Sequence, residues 1–436
     1  MKTSIEKAYH NGKIVLSFGL KTFPKEIYNF ADTLEFLDLS GNELEELPND
    51  FSCLKHLKIL FLSQNLFKEF PKVLYECKQL DIVGFKANQI STIDERAIPE
   101  NLRWLILTNN QLRSLPKSIG NCTRLQKVML AGNRLTSLPS EMSACKNLQL
   151  LRISANQFSD IPKWLYTMPK LSWLAFGSNP CSYVGEKIPK IREISWSEVE
   201  IKEMIGSGAS GNIYEAIFHS AESASRSVAI KLFKGEVTSD GLPIAEMEAA
   251  IFAGNHPHLI EVIGKISEHP NLNQGLVLEL IPKIYTNLGL PPNYETCTRD
   301  TFSAGTQYSL NEVIQILLRI ASVSEHLHIH KISHGDLYAH NILINRVTSK
   351  VLIGDFGAAS RYGFLAESQT SIEKIEVRAF GCLMDDLIGL VEKSELDSKR
   401  YQSLTSLREE CLQENVLDRP CFQEINQGLE TQLRKT

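Results

Sequence analysis

An asparagine recurs through the first half of this chain with almost no drift. Asn42, Asn65, Asn88, Asn110, Asn133, Asn156 and Asn179 are separated by steps of 23, 23, 22, 23, 23 and 23 residues. Each sits in one frame, as in "LEFLDLSGNELEELP", "LRWLILTNNQLRSLP" and "LQLLRISANQFSDIP". A unit this short cannot bury its own apolar positions, so neighbours must stack, and a fixed period of this length means a solenoid. Each unit predicts a short strand over its LxxLxL part, followed by a turn. The Asn side chain is expected to point inward at the strand's end. There it can hydrogen-bond backbone groups that the turn leaves unpaired, forming a ladder from unit to unit. The prolines that follow, Pro48, Pro71, Pro116, Pro139 and Pro162, suit an extended or turn segment on the opposite side.

The pattern resembles the leucine-rich repeat, from about Leu34 to Asn179. Residues 1–33, with the degenerate unit "LKTFPKEI", read as an N-terminal cap, and 34–185 as the repeat domain. Cys53, Cys77, Cys122 and Cys145 recur near unit ends, at positions expected to face the core. In such a solenoid the strands line a concave face. The third strand position of each unit points there: Phe36, Ile59, Ile82, Trp104, Lys127, Leu150 and Trp173. An apolar column of this size predicts a bound protein partner, the chain's own second domain included.

A chain of 436 residues has room for two or three domains. Its 43% hydrophobic and 22% charged residues suit a globular protein. A net charge of -5 argues against nucleic acid as the main partner. No apolar run is long enough to span a membrane. The N-terminus lacks the layout of a signal peptide. Nine cysteines without a CxxC pair read as free thiols in a reducing compartment. The expected location is therefore cytoplasmic, with secretion into a host without a cleaved signal left open.

After "NPCSYVGEKIPKIREI" the period stops, and residues 186–195 read as a linker. "ISWSEVEIKEMIGSGASGNIYEAIF" then predicts strand, glycine-rich turn, strand, with Gly206, Gly208 and Gly211 followed by Ile213. A dinucleotide fingerprint would need a helix directly after the glycines. The β-branched and aromatic "NIYEAIF" predicts a strand instead, hence a hairpin folded over nucleotide phosphates. "SVAIKLF" places Lys231 in an apolar strand, where burial demands an anionic partner. "SHGDLYAHNILI" supplies Asp336 and Asn341, and "GDFG" supplies Asp355 fourteen residues after Asn341.

This ordered set resembles a eukaryotic-type protein kinase of the tyrosine-kinase-like group, over about residues 194–433. It implies an α/β leucine-rich-repeat solenoid followed by a bilobal α+β protein kinase fold, the latter over 196–436. It implies ATP and Mg2+ as cofactors and a protein substrate phosphorylated on Ser or Thr, with Tyr left open. Asp336 would accept or orient the substrate hydroxyl proton, and Asn341 and Asp355 would hold magnesium. Ile205, Gly206, Ser207, Gly208, Gly211, Ile213, Ala229, Lys231, Glu279, Ile281 and Leu343 would surround the nucleotide. Leu278 takes the gatekeeper position. The acid paired with Lys231 must come from "PIAEMEAAIFAGN", and Glu248 is chosen over Glu246 because Phe252 then packs four residues on. His334 and Phe356 are expected to stack with Phe252.

The sequence departs from that pattern in three places. Gly335 replaces the Arg that grips a phosphorylated activation loop, so activity is expected not to depend on loop phosphorylation. Tyr338 stands where serine/threonine kinases carry a Lys. No Ala-Pro-Glu follows Asp355, and Glu367 is the nearest candidate partner for Arg419. The 286–310 loop takes no assignment. A pseudokinase scaffold working through the repeats, or a small-molecule phosphotransferase, is the alternative function.

Overall fold

The structure is a computed structural model that describes residues 2–182, 188–220, 224–235, 237–363, 365 and 369–434. Its contacts divide the chain into two compact units, Met1–Leu171 and Ser172–Thr436.

In the first unit a short helix, α1 (Lys2–Ala8), precedes seven three-residue strands. These are β1 (Lys13–Val15), β2 (Phe36–Asp38), β3 (Ile59–Phe61), β4 (Ile82–Gly84), β5 (Trp104–Ile106), β6 (Lys127–Met129) and β7 (Leu150–Arg152). They pair in parallel with equivalent positions aligned, as Phe36 with Ile59 and Ile59 with Ile82. Each connection carries a 3-10 turn or an irregular segment on the return path. The leucines between the outward positions, such as Leu37, Leu60, Leu105 and Leu151, are fully buried.

The asparagine ladder is present. Asn133 Nδ2 donates to Leu107 O of the preceding unit (2.8 Å) and to Leu130 O (2.9 Å), while its Oδ1 accepts from Leu112 N (3.0 Å). Asn65, Asn88, Asn110 and Asn156 repeat this geometry. Cys77, Cys122 and Cys145 face the core as expected, but Cys53 is exposed. Leu54, not Cys53, is the counterpart of Cys77: each caps its 3-10 turn and points inward, and Cys53 lies one position earlier.

The second unit opens with β8 (Trp173–Ala175) and β9 (Glu193–Ser195). A six-stranded sheet follows in the order β10-β11-β12-β14-β13-β9, with β10 (Val199–Ser207), β11 (Gly211–Phe218), β12 (Arg226–Phe233), β13 (Val262–Ser267) and β14 (Gly275–Glu279). Its core joins Ile194, Ala216, Phe218, Val228, Ile230, Ile266 and Val277. Helix α2 (Pro243–Ala253) starts on Pro243, whose missing N–H costs nothing in a first turn. It ends at Gly254, whose φ of 64° favours glycine.

The rest is helical: α3 (Leu310–Ile329), α4 (Gln369–Ile388), α5 (Lys399–Cys411) and α6 (Phe422–Leu433). A capping box between Ser309 and Glu312 starts α3. Between α2 and α4 lie β15 (Tyr285–Asn287), β16 (Ile332–Ser333), β17 (Ile342–Asn345), β18 (Lys350–Ile353) and β19 (Ser360–Arg361), which carry the candidate catalytic segments. The unit thus has a sheet-rich part and a helical part, with the motif residues between them.

Candidate functional site

Strands β10 and β11 form the expected hairpin, with Gly206 opposite Ile213 and Ser207 opposite Asn212. Gly208 N–H closes the turn on Gly211 O (2.9 Å), and Ser207 Oγ donates to Asn212 Oδ1 (2.8 Å). Gly211 has no room for a side chain, since a Cβ there would lie 2.5 Å from Leu232 O. Below the hairpin is a cavity of ≈ 360 Å³ whose walls include Ile213, Lys231, Leu278, Asn341, Leu343 and Asp355. Ile205 is exposed on the hairpin's outer edge, and Ala229 stands behind the wall, paired with Leu278. Glu279 ends β14 with its N–H on Glu261 O (3.0 Å), and Ile281 lies two residues beyond it.

Lys231 forms an ion pair with Glu246, not with Glu248. The pair is well buried, with side chains 14% and 5% exposed. Burial pushes the Glu246 carboxyl up, and the Lys231 ammonium opposes that shift. Glu248 lies half-buried on another face of α2, where Arg361 and Lys265 partly offset a burial-driven rise of its pKa. The expected Lys231–Glu248 pair is thus absent, because the phase of α2 turns Glu246 toward Lys231 and Glu248 toward Arg361 and Lys265. Phe252 belongs to that other face too and lies under the Arg361 guanidinium, 3.4 Å from the ring centroid. The residue one turn beyond Glu246 is Ala250, which lines the cavity. His334 and Phe356 do pack together, at 5.6 Å between ring centroids.

Asp336 and Asn341 are joined directly. Asn341 Nδ2 donates to Asp336 Oδ2 (2.6 Å) and to Asp336 O (3.1 Å), which leaves its Oδ1 as an acceptor. Asp355 is exposed, with a φ of 53° and one oxygen taking Gly357 N–H (3.3 Å). Among the described residues, no group of three or more His, Cys, Asp or Glu could enclose a metal. A carboxylate and an amide oxygen on the wall of one cavity are instead the sparse, hard donor set that suits Mg2+, which keeps waters and takes phosphate oxygens. The residues fit the group.

The chain matches the model of the protein tyrosine and serine/threonine kinase family over residues 199–380. It matches leucine-rich-repeat models over 33–54, 101–122 and 123–180. The chain joins leucine-rich repeats to a protein kinase domain. Among its relatives are the leucine-rich repeat and calponin homology domain-containing protein 1 of Mus musculus and of Homo sapiens. Each is 30% identical over 132 residues, which is 29% of this chain and 18% of that protein. Tyrosine-protein kinase receptor TYRO3 of Danio rerio is 29% identical over 181 residues, 40% of this chain and 20% of that protein. The chain thus spans about a fifth of the length of these relatives. No helix among the described residues is long and apolar enough to cross a membrane.

Several side chains hold the segment around Asp336 in place. Glu376 of α4 is fully buried beneath it and accepts from Gly335 N (2.6 Å), His334 N (3.2 Å) and Ser333 Oγ (3.1 Å). His328 Nε2 lies 2.7 Å from the same carboxylate. Burial alone would raise the Glu376 pKa, but His328, His334 and Gly335 N–H hold it below the usual range. The unassigned 286–310 loop is an ordered brace. Asp300 accepts from His340 N (3.1 Å) and faces His340 Nδ1 (2.7 Å), Asn287 Nδ2 bonds His340 O, and Arg299 pairs with Asp385 (2.9 Å) and Asp386. Burial lowers the His340 pKa, and Asp300 outweighs it to give a net rise.

Gly335 has a φ of 71°, and a Cβ there would lie 2.6 Å from Ala358 O. An arginine cannot be accommodated in this backbone. Tyr362 and Ser360 are both buried, and the Tyr362 phenol meets His328 Nδ1 at 2.7 Å. Glu367 and Ser368 lie outside the described residues. Arg419 donates to Gln413 O (2.8 Å) and Lys374 O (2.9 Å). Of the column assigned to a protein partner, Phe36 packs edge-on to Phe61 at 5.8 Å, and Trp104 lies under the Lys127 ammonium at 4.1 Å. Ile82, Leu150 and Trp173 are buried, so the column is not the continuous exposed stripe that was expected. Phe36, Ile59 and Trp104 remain partly exposed.

Proposed function

We propose that this chain is an ATP- and Mg2+-dependent protein kinase that phosphorylates serine or threonine hydroxyls. The observation that carries this reading is the single cavity bearing the Lys231–Glu246 pair, Asn341 and Asp355, with Asp336 hydrogen-bonded to Asn341. Phosphoryl transfer asks for placement and charge neutralisation more than covalent chemistry. When bound, ATP with Mg2+ supplies the phosphoryl group and screens its charge. Asn341 and Asp355 would hold the metal, and Lys231, kept in place by Glu246, would hold phosphate oxygens. Ile213, Leu278 and Leu343 supply an apolar slot for the base, with Ala229 behind it and the backbone of Glu279 and Ile281 beside it. The hairpin of Ile205, Gly206, Ser207, Gly208 and Gly211 would cover the phosphates with backbone N–H groups. Asp336, fixed by the Asn341 amide, would orient the acceptor hydroxyl and receive its proton.

A tyrosine acceptor is the second reading. It is favoured by Tyr338, which puts no positive charge beside Asp336, and by the tyrosine-kinase name of one relative. The partly exposed Phe36, Ile59 and Trp104 of the repeats are the proposed protein-binding surface, in a cytoplasmic setting.

The test is incubation with radiolabelled ATP and Mg2+, comparing wild type with Asp336→Ala, followed by phosphoamino-acid analysis. Label on serine or threonine that vanishes in the variant is the expected result. Nucleotide binding without transfer would leave a scaffold. Label on phosphotyrosine alone would select the second acceptor.

A further inference from the structure

One short strand touches the catalytic loop on both sides of Asp336. Trp173 in β8 is 1% exposed. Its indole lies flat on the Tyr338 ring, with centroids 4.4 Å apart and planes 7° from parallel. Its Nε1–H donates to Leu337 O (3.2 Å). On the other side of Asp336, a Cβ on Gly335 would come within 3.0 Å of Leu174 O, so the two backbones are in close contact there. One residue past β8, Phe176 N–H donates to Ser360 Oγ (2.8 Å), at the start of β19. Gly177 continues the fit, since a Cβ there would lie 2.8 Å from Ala359 O.

These contacts have separate chemistry and one common target. A parallel aromatic pair adds about 0.5–1.5 kcal/mol beyond its buried area. The indole hydrogen bond fixes the ring's rotation and the height of the Leu337 carbonyl. Between them, Trp173 and Leu174 bound the loop at 335, 337 and 338, and leave Asp336 as the residue between the fixed points. Tyr338 cannot turn toward the cavity without giving up the stack.

We propose that Trp173 is a positioning residue for phosphoryl transfer: strand β8 sets the catalytic loop so that Asp336 meets its acceptor, with no need for a modified activation loop. The inference rests on the kinase reading above for its kinetic part only. Misplacing a reacting group by about 1 Å is enough to cost on the order of 10²-fold in rate. The indole's contacts are with Leu337 and Tyr338, whereas Lys231 is held by Glu246 and Asp355 by Gly357 N–H, so binding of ATP should survive its loss.

The experiment uses the full chain, with Trp173→Ala, Trp173→Phe and Tyr338→Ala. Autophosphorylation at saturating Mg2+-ATP is measured with the half-saturating ATP concentration, and amide hydrogen exchange is followed over 333–341 and over β12. In Trp173→Ala the rate should fall about tenfold or more, with half-saturation within about twofold of wild type. Trp173→Phe keeps a ring on Tyr338 and should recover part of the loss. Exchange over 335–339 should quicken while exchange over β12 stays unchanged. A double Trp173→Ala, Tyr338→Ala variant should be no slower than Trp173→Ala. A Trp173→Ala rate equal to wild type, a faster rate, or a parallel rise in half-saturation would each overturn the proposal. If Trp173→Ala does not fold, Trp173→Phe decides: a wild-type rate and wild-type exchange over 335–339 overturn it. If the wild-type chain transfers no phosphate, the kinase reading falls, and the exchange data alone decide whether β8 holds the loop.

Discussion

Removing Glu246 should disable the kinase domain, whereas removing Glu248 should not. Lys231 and Glu246 face each other with side chains 14% and 5% exposed. Breaking a buried pair by deleting one partner leaves the other charge uncompensated, at a cost of about 3–5 kcal/mol. In Glu246→Ala the Lys231 ammonium would be drawn to Asp355, the nearby carboxylate that already raises the Glu246 pKa. Both groups would then be misplaced for nucleotide and metal. If about 3 kcal/mol of the cost falls on the competent arrangement, at 1.36 kcal/mol per decade, kcat/KM drops by about two orders of magnitude. Glu248 is half-buried and shares its charge with Arg361 and Lys265. A partly solvated pair of that kind contributes at most about 1 kcal/mol, or less than about sixfold. Steady-state kinetics on both variants, with a fluorescent ATP analogue to follow binding, checks the assignment. Full activity in Glu246→Ala, or a loss of two orders of magnitude in Glu248→Ala, would refute it.

Other outcomes follow from the same geometry. Asn133→Ala orphans the Leu107 and Leu130 carbonyls and the Leu112 N–H. At about 1–3 kcal/mol for each uncompensated group, with partial relaxation, the repeats should lose about 3–5 kcal/mol in denaturant unfolding, and a loss below about 1 kcal/mol would contradict the ladder. Gly211→Ala drives a Cβ to 2.5 Å from Leu232 O, so the hairpin must shift. Overpacking of about 1–3 kcal/mol predicts at least fivefold weaker ATP-analogue binding, with unfolding of the repeats unchanged. Ser360 and Tyr362 are buried, so phosphatase treatment should leave the transfer rate within about twofold, and an abolished rate restored by rephosphorylation would refute this. Burial, with His326 and His258 nearby, pushes the His256 imidazole down to about 4 from 6.5. Between those values the unfolded chain binds a proton that the folded chain does not, so stability is lost as pH falls from about 6.5 toward 4. After discounting for partial exposure this is about 1–2 kcal/mol, and His256→Gln should flatten that part of the pH–stability curve.

What the sequence revealed depended on how local the cause was. The 23-residue frame, the asparagine ladder and the strand after the glycines are short-range consequences of period and β-propensity, and each stands where the pattern places it. The helix bearing the lysine's partner was legible, but its phase was not. "PIAEMEAAIFA" presents alanine and isoleucine on nearly every side, so no polar stripe marks which acid faces Lys231. Asp300 gave no signal at all, because the 286–310 loop has no period and is placed by tertiary contacts with His340 and α4. Trp173 was expected in a column open to a protein partner, but it is buried under Tyr338, and nothing in its own repeat indicates that cover. Cys53 failed for a simpler reason: it lies one position before the inward one, which Leu54 fills here as Cys77 does in the next unit.

The departures from the kinase pattern then have a common physical reading. Gly335 at φ 71° lets the loop pass against Ala358 and Leu174, a path that any side chain would close. Glu376 takes the N–H groups of His334 and Gly335 from below, and Asp300 takes the N–H of His340 from the insert. Tyr338 spends its ring on Trp173. Each of these ties is made by unmodified side chains or backbone within one folded unit, so the loop's order is a property of the fold itself. Regulation of such a domain must act on what those ties depend on. Two elements carry these ties: the 286–310 insert, through Arg299 and Asp300, and strand β8, through Trp173 and Leu174. A ligand that shifted either one would reach Asp336 through two covalent neighbours or through Asn341, without touching the nucleotide.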